Sequence, residues 1–267
     1  MVDLHWRLLR DGPAGGVWNM AVDEAMARAV GEGQAPATVR LYTWSAPTIS
    51  LGYLQRTMSG VDLEACRRRS IGLVRRITGG RAVLHAEEIT YSVALPLHGR
   101  WRGLSIPEGY ALISRGLAAG LLRLGVKAGM SEAGMRPGAG RETDACFLLR
   151  GVPAILADGR KLVGSAQRRW DRSLLQHGSL LLDFEPGLHR AVFPGWPRTD
   201  PAAGVTSLRD LLGGRPPIGD VMSALSAGFR ELFDAPGIAG ELLPVERGTA
   251  EDLARSRYGT AAWTYLR

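Results

Sequence analysis

At 267 residues, 45% hydrophobic and 22% charged, the chain can bury a large core as one domain spanning 1–267. No apolar run approaches the roughly 20 residues of a membrane span, and "MVDLHWRLLRDG" lacks the basic-then-apolar order of a secretory signal, so a soluble cytoplasmic protein with reduced cysteines is expected. The net charge of +7 favours acidic partners, and arginines scattered as "CRRRS", "VRRIT", "AQRRW" and "RSRYG", without zinc-finger spacing or an RNA-binding aromatic signature, fit an acidic protein better than nucleic acid.

In chain order, residues 15–30 carry apolar side chains at helical spacing, and "TVRLYTW" (38–44) and "TISLGY" (48–53) read as strands. "VDLEACRRRSIG" (61–72) is a short amphipathic helix whose Leu63 and Cys66 share a face, which predicts a buried structural cysteine. Strands follow at "GLVRRI" (72–77) and "ITYSVALPL" (89–97), then a helix over 106–124. Residues 128–144, rich in Gly, Ala and Met without period, read as a long functional loop leading into Cys146. "VPAILA" (152–157) and "KLVGSAQ" (161–167) flank Asp158-Gly159, a hairpin signal because a primed turn demands positive φ. Reflection about that turn sets Lys161 opposite Ile155 or Leu156 and leaves Cys146 beyond the paired region. A strand at "SLLLDF" (179–184) and a helix over 217–233 complete the pass. Many strands with fewer, separated helices predict an α+β fold built on mainly antiparallel sheet.

Cys146 follows Glu142, Thr143 and Asp144 and leads "CFLL", so it reads either as a nucleophile reached through the loop or as a small core residue. Of 33 basic residues only Lys127 and Lys161 are lysines, and an amine able to lose its proton beside a glycine-rich turn points to chemistry at Lys161. In "RRITGGRAVLHAEEITYS" (75–92), Gly79-Gly80 lets a ligand approach backbone amides while Arg75, Arg76 and Arg81 supply positive charge for a phosphate, carboxylate or carbonyl oxygen. The plainer reading is a tight turn with solvated arginines. It is neither a Walker A loop nor a dinucleotide fingerprint. His85 and His177 punctuate apolar stretches and read as satisfied core or turn residues ahead of bases. No cluster has zinc spacing, so no metal is expected.

Taken together, "WNMAVDEAM" (18–26), "LYTWSAPTISLGYLQ" (41–55), "VRRITGGRAVLH" (74–85), "ITYSVALP" (89–96), "ACFLL" (145–149), "GRKLVGSAQRR" (159–169), "LLQHGSLLLD" (174–183) and, more weakly, "SLRDLL" (207–212) resemble the biotin/lipoate ligase and lipoyl-transferase superfamily, most closely its LipM-type octanoyltransferases. The resemblance implies that fold over about 18–212, with 213–267 a helical and strand extension packed on it. It further implies transfer of octanoate from acyl carrier protein, through a thioester on Cys146, to a lysine of a lipoyl domain such as the glycine cleavage H protein. Lys161 would then be the second catalytic residue. Arg76, Thr78, Gly79, Gly80, Arg81, His85, Gly164, Ser165, Gln167, His177 and Gly178 would bind substrate, with no cofactor and a monomeric chain. Arg81 stands where adenylating ligases carry a third glycine, and the chain ends without their added domain, so ATP use is not implied. Ala86 in "HAEE" replaces an acid of the relatives, a role left to Glu87 or Glu88. The competing readings are an ATP-dependent lipoate ligase, an octanoyl amidotransferase, and a non-enzymatic basic module binding protein or nucleic acid.

Overall fold

Local chemistry sets the ends of the helices. Ser105 and Glu108 form a reciprocal capping box that opens the helix Ile106–Arg123, and the Asp62 side chain accepts from the Ala65 amide to start Leu63–Arg68. The computed structural model describes residues 5–57, 60–131, 154–196 and 204–266. In chain order the elements are β1 (Trp6–Ala14), α1 (Gly16–Gly31), β2 (Thr38–Trp44), β3 (Thr48–Leu51), α2 (Leu63–Arg68), β4 (Gly72–Arg75), β5 (Val83–His85), β6 (Glu88–Pro96) and α3 (Ile106–Arg123). There follow β7 (Ala128–Met130), β8 (Ala154–Ala157), β9 (Arg160–Arg169), β10 (Ser173–Leu181), α4 (Pro186–Val192), α5 (Leu208–Leu212), α6 (Ile218–Phe233), β11 (Gly237–Ala239), α7 (Pro244–Leu253) and α8 (Ala261–Thr264).

Among the described residues eight strands form one sheet in the order β11-β1-β2-β6-β10-β9-β8-β7, and β4-β3-β5 form a second. From β2 to β7 every pairing is antiparallel, while β11-β1, β1-β2 and β3-β4 are parallel. One face of the large sheet packs Leu41, Tyr91, Val93, Leu174 and Leu180 against Ile113, Leu117 and Leu121 of α3 and Leu225 and Phe229 of α6. On the other face α1 sets Met26 and Val30 against Ala94 and Leu175. α2 and α4 cover the small sheet. Period-2 alternation on β6 and β10 therefore sends one set of side chains to α3 and the other to α1, and that division positions the site.

The Asp158-Gly159 turn has positive φ at both residues, 50° and 73°, and Lys161 pairs with Leu156. Three expectations change. Residues 128–130 of the expected loop form β7, because the backbone of β8 would otherwise be an unpaired edge. β10 starts at Ser173, six residues before the expected strand, since the polar Gln176-His177-Gly178 centre is paired on both sides by β6 and β9. β1 was not expected at all; its Gly12-Pro13 end hides the alternation, and it is held by β2, β11 and a bidentate Arg7–Glu246 ion pair from α7 (2.7 and 2.5 Å). Among the described residues no helix is long and apolar enough to cross a membrane.

Candidate active site

A narrow cavity opens where the small sheet meets the α1 face of the large one. Its wall takes Met20 from α1, Tyr42 from β2, Ser50 from β3, Val83 and His85 from β5, Thr90 from β6, Gly164 to Ala166 from β9, His177 to Ser179 from β10, and Arg76. Sheet pairing explains the convergence of the last strands: His177 lies opposite Ala166 on β9 and Ser92 on β6, and Ser179 opposite Gly164 and Thr90.

Both cavity histidines are held at both nitrogens. His177 Nδ1 lies 2.8 Å from Asp23 Oδ2 and its Nε2 2.7 Å from Thr78 Oγ1. Asp23 also accepts from Arg40 Nη1 (2.9 Å) and the Tyr42 hydroxyl (3.0 Å). Burial alone would raise the Asp23 carboxyl, but the His177 hydrogen bond and the Arg40 charge outweigh it and hold the group below the usual carboxylate range. Tyr42, pushed well above its ordinary value by burial and by Asp23, remains a hydroxyl donor. His85 Nε2 lies 2.7 Å from Ser50 Oγ and Nδ1 2.9 Å from Glu88 Oε1, while its ring stacks on Trp44 at 4.0 Å. Glu88 thus meets His85, and Glu87 instead pairs with Arg215 (2.6 Å).

Arg75 and Arg76 spend most of their donors on the carbonyls of the glycine turn and its neighbours. Arg75 is fully buried and donates to the carbonyls of Gly52 (2.7 Å), Gln55 (2.7 Å) and Thr264 (3.2 Å) and to Thr57 (2.7 Å). Arg76 donates to the carbonyls of Ser50, Gly79 and Arg81, each at 2.7 Å, so it builds the turn while bordering the cavity. The physical reason is that buried loop carbonyls need donors, and a five-donor guanidinium satisfies several at once. The turn packs so tightly that a Cβ on Gly52 would lie 1.9 Å from the Gly80 carbonyl oxygen, and Gly80 has φ 93°.

Among the expected substrate-binding residues, Arg76, His85, Gly164, Ser165, His177 and Gly178 border the cavity, and Thr78 stands behind His177. Gly79, Gly80 and Arg81 form the turn beside it without lining it. Gln167 faces α3 instead: its amide donates to Gln176 (2.9 Å), which donates to the Tyr91 hydroxyl (2.8 Å), which donates to Ser165 Oγ (2.7 Å). Burial pushes the Tyr91 hydroxyl up to about 12. Lys161 is buried where β9 meets Gly204 to Thr206, its amide donating to the Gly204 carbonyl (3.0 Å), and it does not line this cavity. Cys146 and the end of the expected loop lie outside the described residues. Cys66 is buried on α2, where desolvation and then Asp62 push its thiol up. Sequence reading missed Asp23, Tyr42 and Ser50; the only local signal was Asp23-Glu24, two adjacent acids inside an otherwise apolar helix. Glu24 is spent on the Tyr258 hydroxyl (2.6 Å) and Arg257 (2.6 Å), which dock the C-terminal segment.

The family model for the lipoyl protein ligase A/B catalytic domain matches residues 16–230. Octanoyltransferase LipM of Kyrpidia tusciae is 43% identical over 271 residues, covering 97% of this chain and 98% of that protein. Octanoyltransferase LipM of Moorella thermoacetica is 40% identical, with 97% of each covered. Among solved structures, Ta0514, a putative lipoate protein ligase of T. acidophilum with bound lipoic acid, superposes with a TM-score of 0.80 at 24% identity, covering 98% of this chain and 99% of that one. A lipoate-protein ligase A bound with ATP gives a TM-score of 0.82 at 24% identity, covering 98% of each. On the matched residues and the full-length relatives, the chain belongs to the lipoyl protein ligase A/B catalytic-domain family.

Proposed function

We propose that the chain is an octanoyltransferase of lipoate biosynthesis, moving an octanoyl group from the phosphopantetheine thioester of acyl carrier protein, through Cys146, to a lysine of a lipoyl domain such as the glycine cleavage H protein. The observation that carries this reading is end-to-end similarity to octanoyltransferases LipM at 43% and 40% identity. The cavity supports it: Met20, Val83, Ala166 and the backbone of Gly164 and Gly178 give it an apolar side against which an unbranched alkyl chain can lie. Exchange of one thioester for another is close to isoenergetic, so positioning and oxyanion stabilisation carry the rate. Attack by the acceptor amine then releases the Cys146 thiol and leaves an amide. Lys161 would serve as the cation or base beside that sulfur. The basic chain would meet acidic partner proteins.

Mass spectrometry after mixing with octanoyl acyl carrier protein tests the reading. One octanoyl group should be gained, lost in Cys146→Ala and kept in Cys66→Ala. Lys161→Ala should slow transfer far more than it weakens folding. Failure to acylate, or acylation that requires ATP and releases AMP, would overturn the proposal in favour of a ligase.

A further inference from the structure

We propose that Met20 sets the length of acyl chain the protein accepts, its side chain meeting the terminal methyl of the bound group; this rests on the octanoyl-transfer reading above and deepens it. The acyl group hangs by its carbonyl from a carrier or acceptor protein far too large to enter the cavity. Only the alkyl tail can go in, so its methyl end goes deepest. The side chain at the deep end therefore decides which tail fits.

Burial marks the two ends of the cavity. Val83, Gly164, Ala166 and Gly178 are half-buried and lie toward the opening, whereas Met20, Tyr42, Ser50, Thr90 and Ser179 are each 3% exposed or less. Of these five, Met20 alone offers a long aliphatic side chain. The hydroxyls of Tyr42, Ser50 and Thr90 are tied by hydrogen bonds to Asp23 (3.0 Å), His85 (2.7 Å) and Glu88, which fixes their side chains as wall. Ser179 ends one atom beyond its Cβ.

The backbone under Met20 is fixed while its side chain is free to be shortened. Asn19 accepts from the fully buried Arg40 at its carbonyl (3.2 Å) and its side-chain oxygen (3.0 Å), and its amide donates to the carbonyls of Ala14 (3.2 Å) and Thr43 (3.3 Å). One turn on, Asp23 meets His177 at 2.8 Å, so residues 20 and 23 turn the same face of α1 to β10. Met20 packs in one apolar cluster with Tyr42, Trp44 and Val74, and its unbranched thioether fills whatever space the rigid groups leave. The helix is pinned by polar contacts that Met20 does not make, so the length of this side chain sets the depth of the cavity.

The test gives full-length protein and a lipoyl domain an equimolar mixture of hexanoyl, octanoyl, decanoyl and dodecanoyl acyl carrier protein, and reads the acylated domain by intact mass at early times. Met20→Ala removes Cγ, Sδ and Cε and should raise the decanoyl-to-octanoyl product ratio about 15-fold over wild-type, from two further methylenes buried at about fourfold each. Met20→Phe should move the products toward hexanoyl. Met20→Val, which shortens the side chain less, should shift the ratio in the same direction by less and serves if Met20→Ala fails to fold. Val83→Ala, at the opening, should leave the ratio as in wild-type. Met20 variants that slow every chain length alike, with the ratio unmoved, would make Met20 a packing residue only and overturn the proposal while octanoyl transfer stands; so would an equal shift in Val83→Ala. If wild-type protein transfers none of the chains, the octanoyl-transfer reading itself falls and the role of Met20 with it.

Discussion

His189 on α4 makes an acid-sensitive weak point whose size follows from its surroundings. It is 5% exposed, its ring packed at 4.6 Å from Phe184 and 4.9 Å from Trp196, and among the described residues only Nδ1 has a partner, the Glu185 carbonyl at 3.0 Å. Burial pulls its pKa from 6.5 to about 4, against a small opposing effect of that hydrogen bond. The unfolded chain therefore takes a proton below pH 6.5 that the folded chain refuses until about pH 4, so stability is intact above 6.5 and declines between the two values. At about 1.36 kcal/mol per unit the full loss is about 3 kcal/mol, with about 2 kcal/mol gone by pH 5. Urea unfolding followed by tryptophan fluorescence, run from pH 7.5 to 4.5 on wild-type and His189→Gln, measures it directly. The variant should start less stable and lose about 2 kcal/mol less by pH 5. Parallel decline of the two proteins would refute a buried neutral imidazole at this position.

Asp23→Asn should cost about 3 kcal/mol at pH 7, the low end for breaking a buried pair because Asp11 still holds Arg40 at 2.6 Å; since the Asp23 pKa is depressed, its contribution is present above about pH 4 and fades as pH falls further, so melting curves of the two proteins should converge in strong acid. Gly52→Ala should destabilise by more than about 3 kcal/mol and abolish transfer, since backbone meets backbone, whereas Gly79→Ala, with open space around its Cβ, should stay within about 0.5 kcal/mol in the same melt. Cys66 should react with a thiol-specific reagent only as fast as the fold opens, and rapid labelling in native buffer would contradict its burial. The tether that Arg75 provides predicts that Arg75→Lys, which cannot span the carbonyls of Gly52, Gln55 and Thr264, raises proteolytic cleavage within residues 52–57.

The amino-acid sequence by itself determined whatever depends on neighbours along the chain. Helical spacing marked α1, α3 and α6 to within a residue or two, and strand-like runs marked β2 and β9. The Asp158-Gly159 turn narrowed the partner of Lys161 to Ile155 or Leu156, of which the fold takes Leu156, and the amphipathic pattern around Cys66 buried that thiol. The ordered motifs carried the family. Only the tertiary structure decided which distant groups meet. His177 finds Asp23 across 154 positions and Thr78 across 99, and the two acids of α1 diverge, Asp23 to His177 and Glu24 to the C-terminal segment. A periodic pattern says which face of a strand or helix is inward but not which element covers it. That is why Gln167, one motif with Gly164, points to α3, and why Arg75 and Arg76, cations in the sequence, are donors to buried carbonyls in the fold.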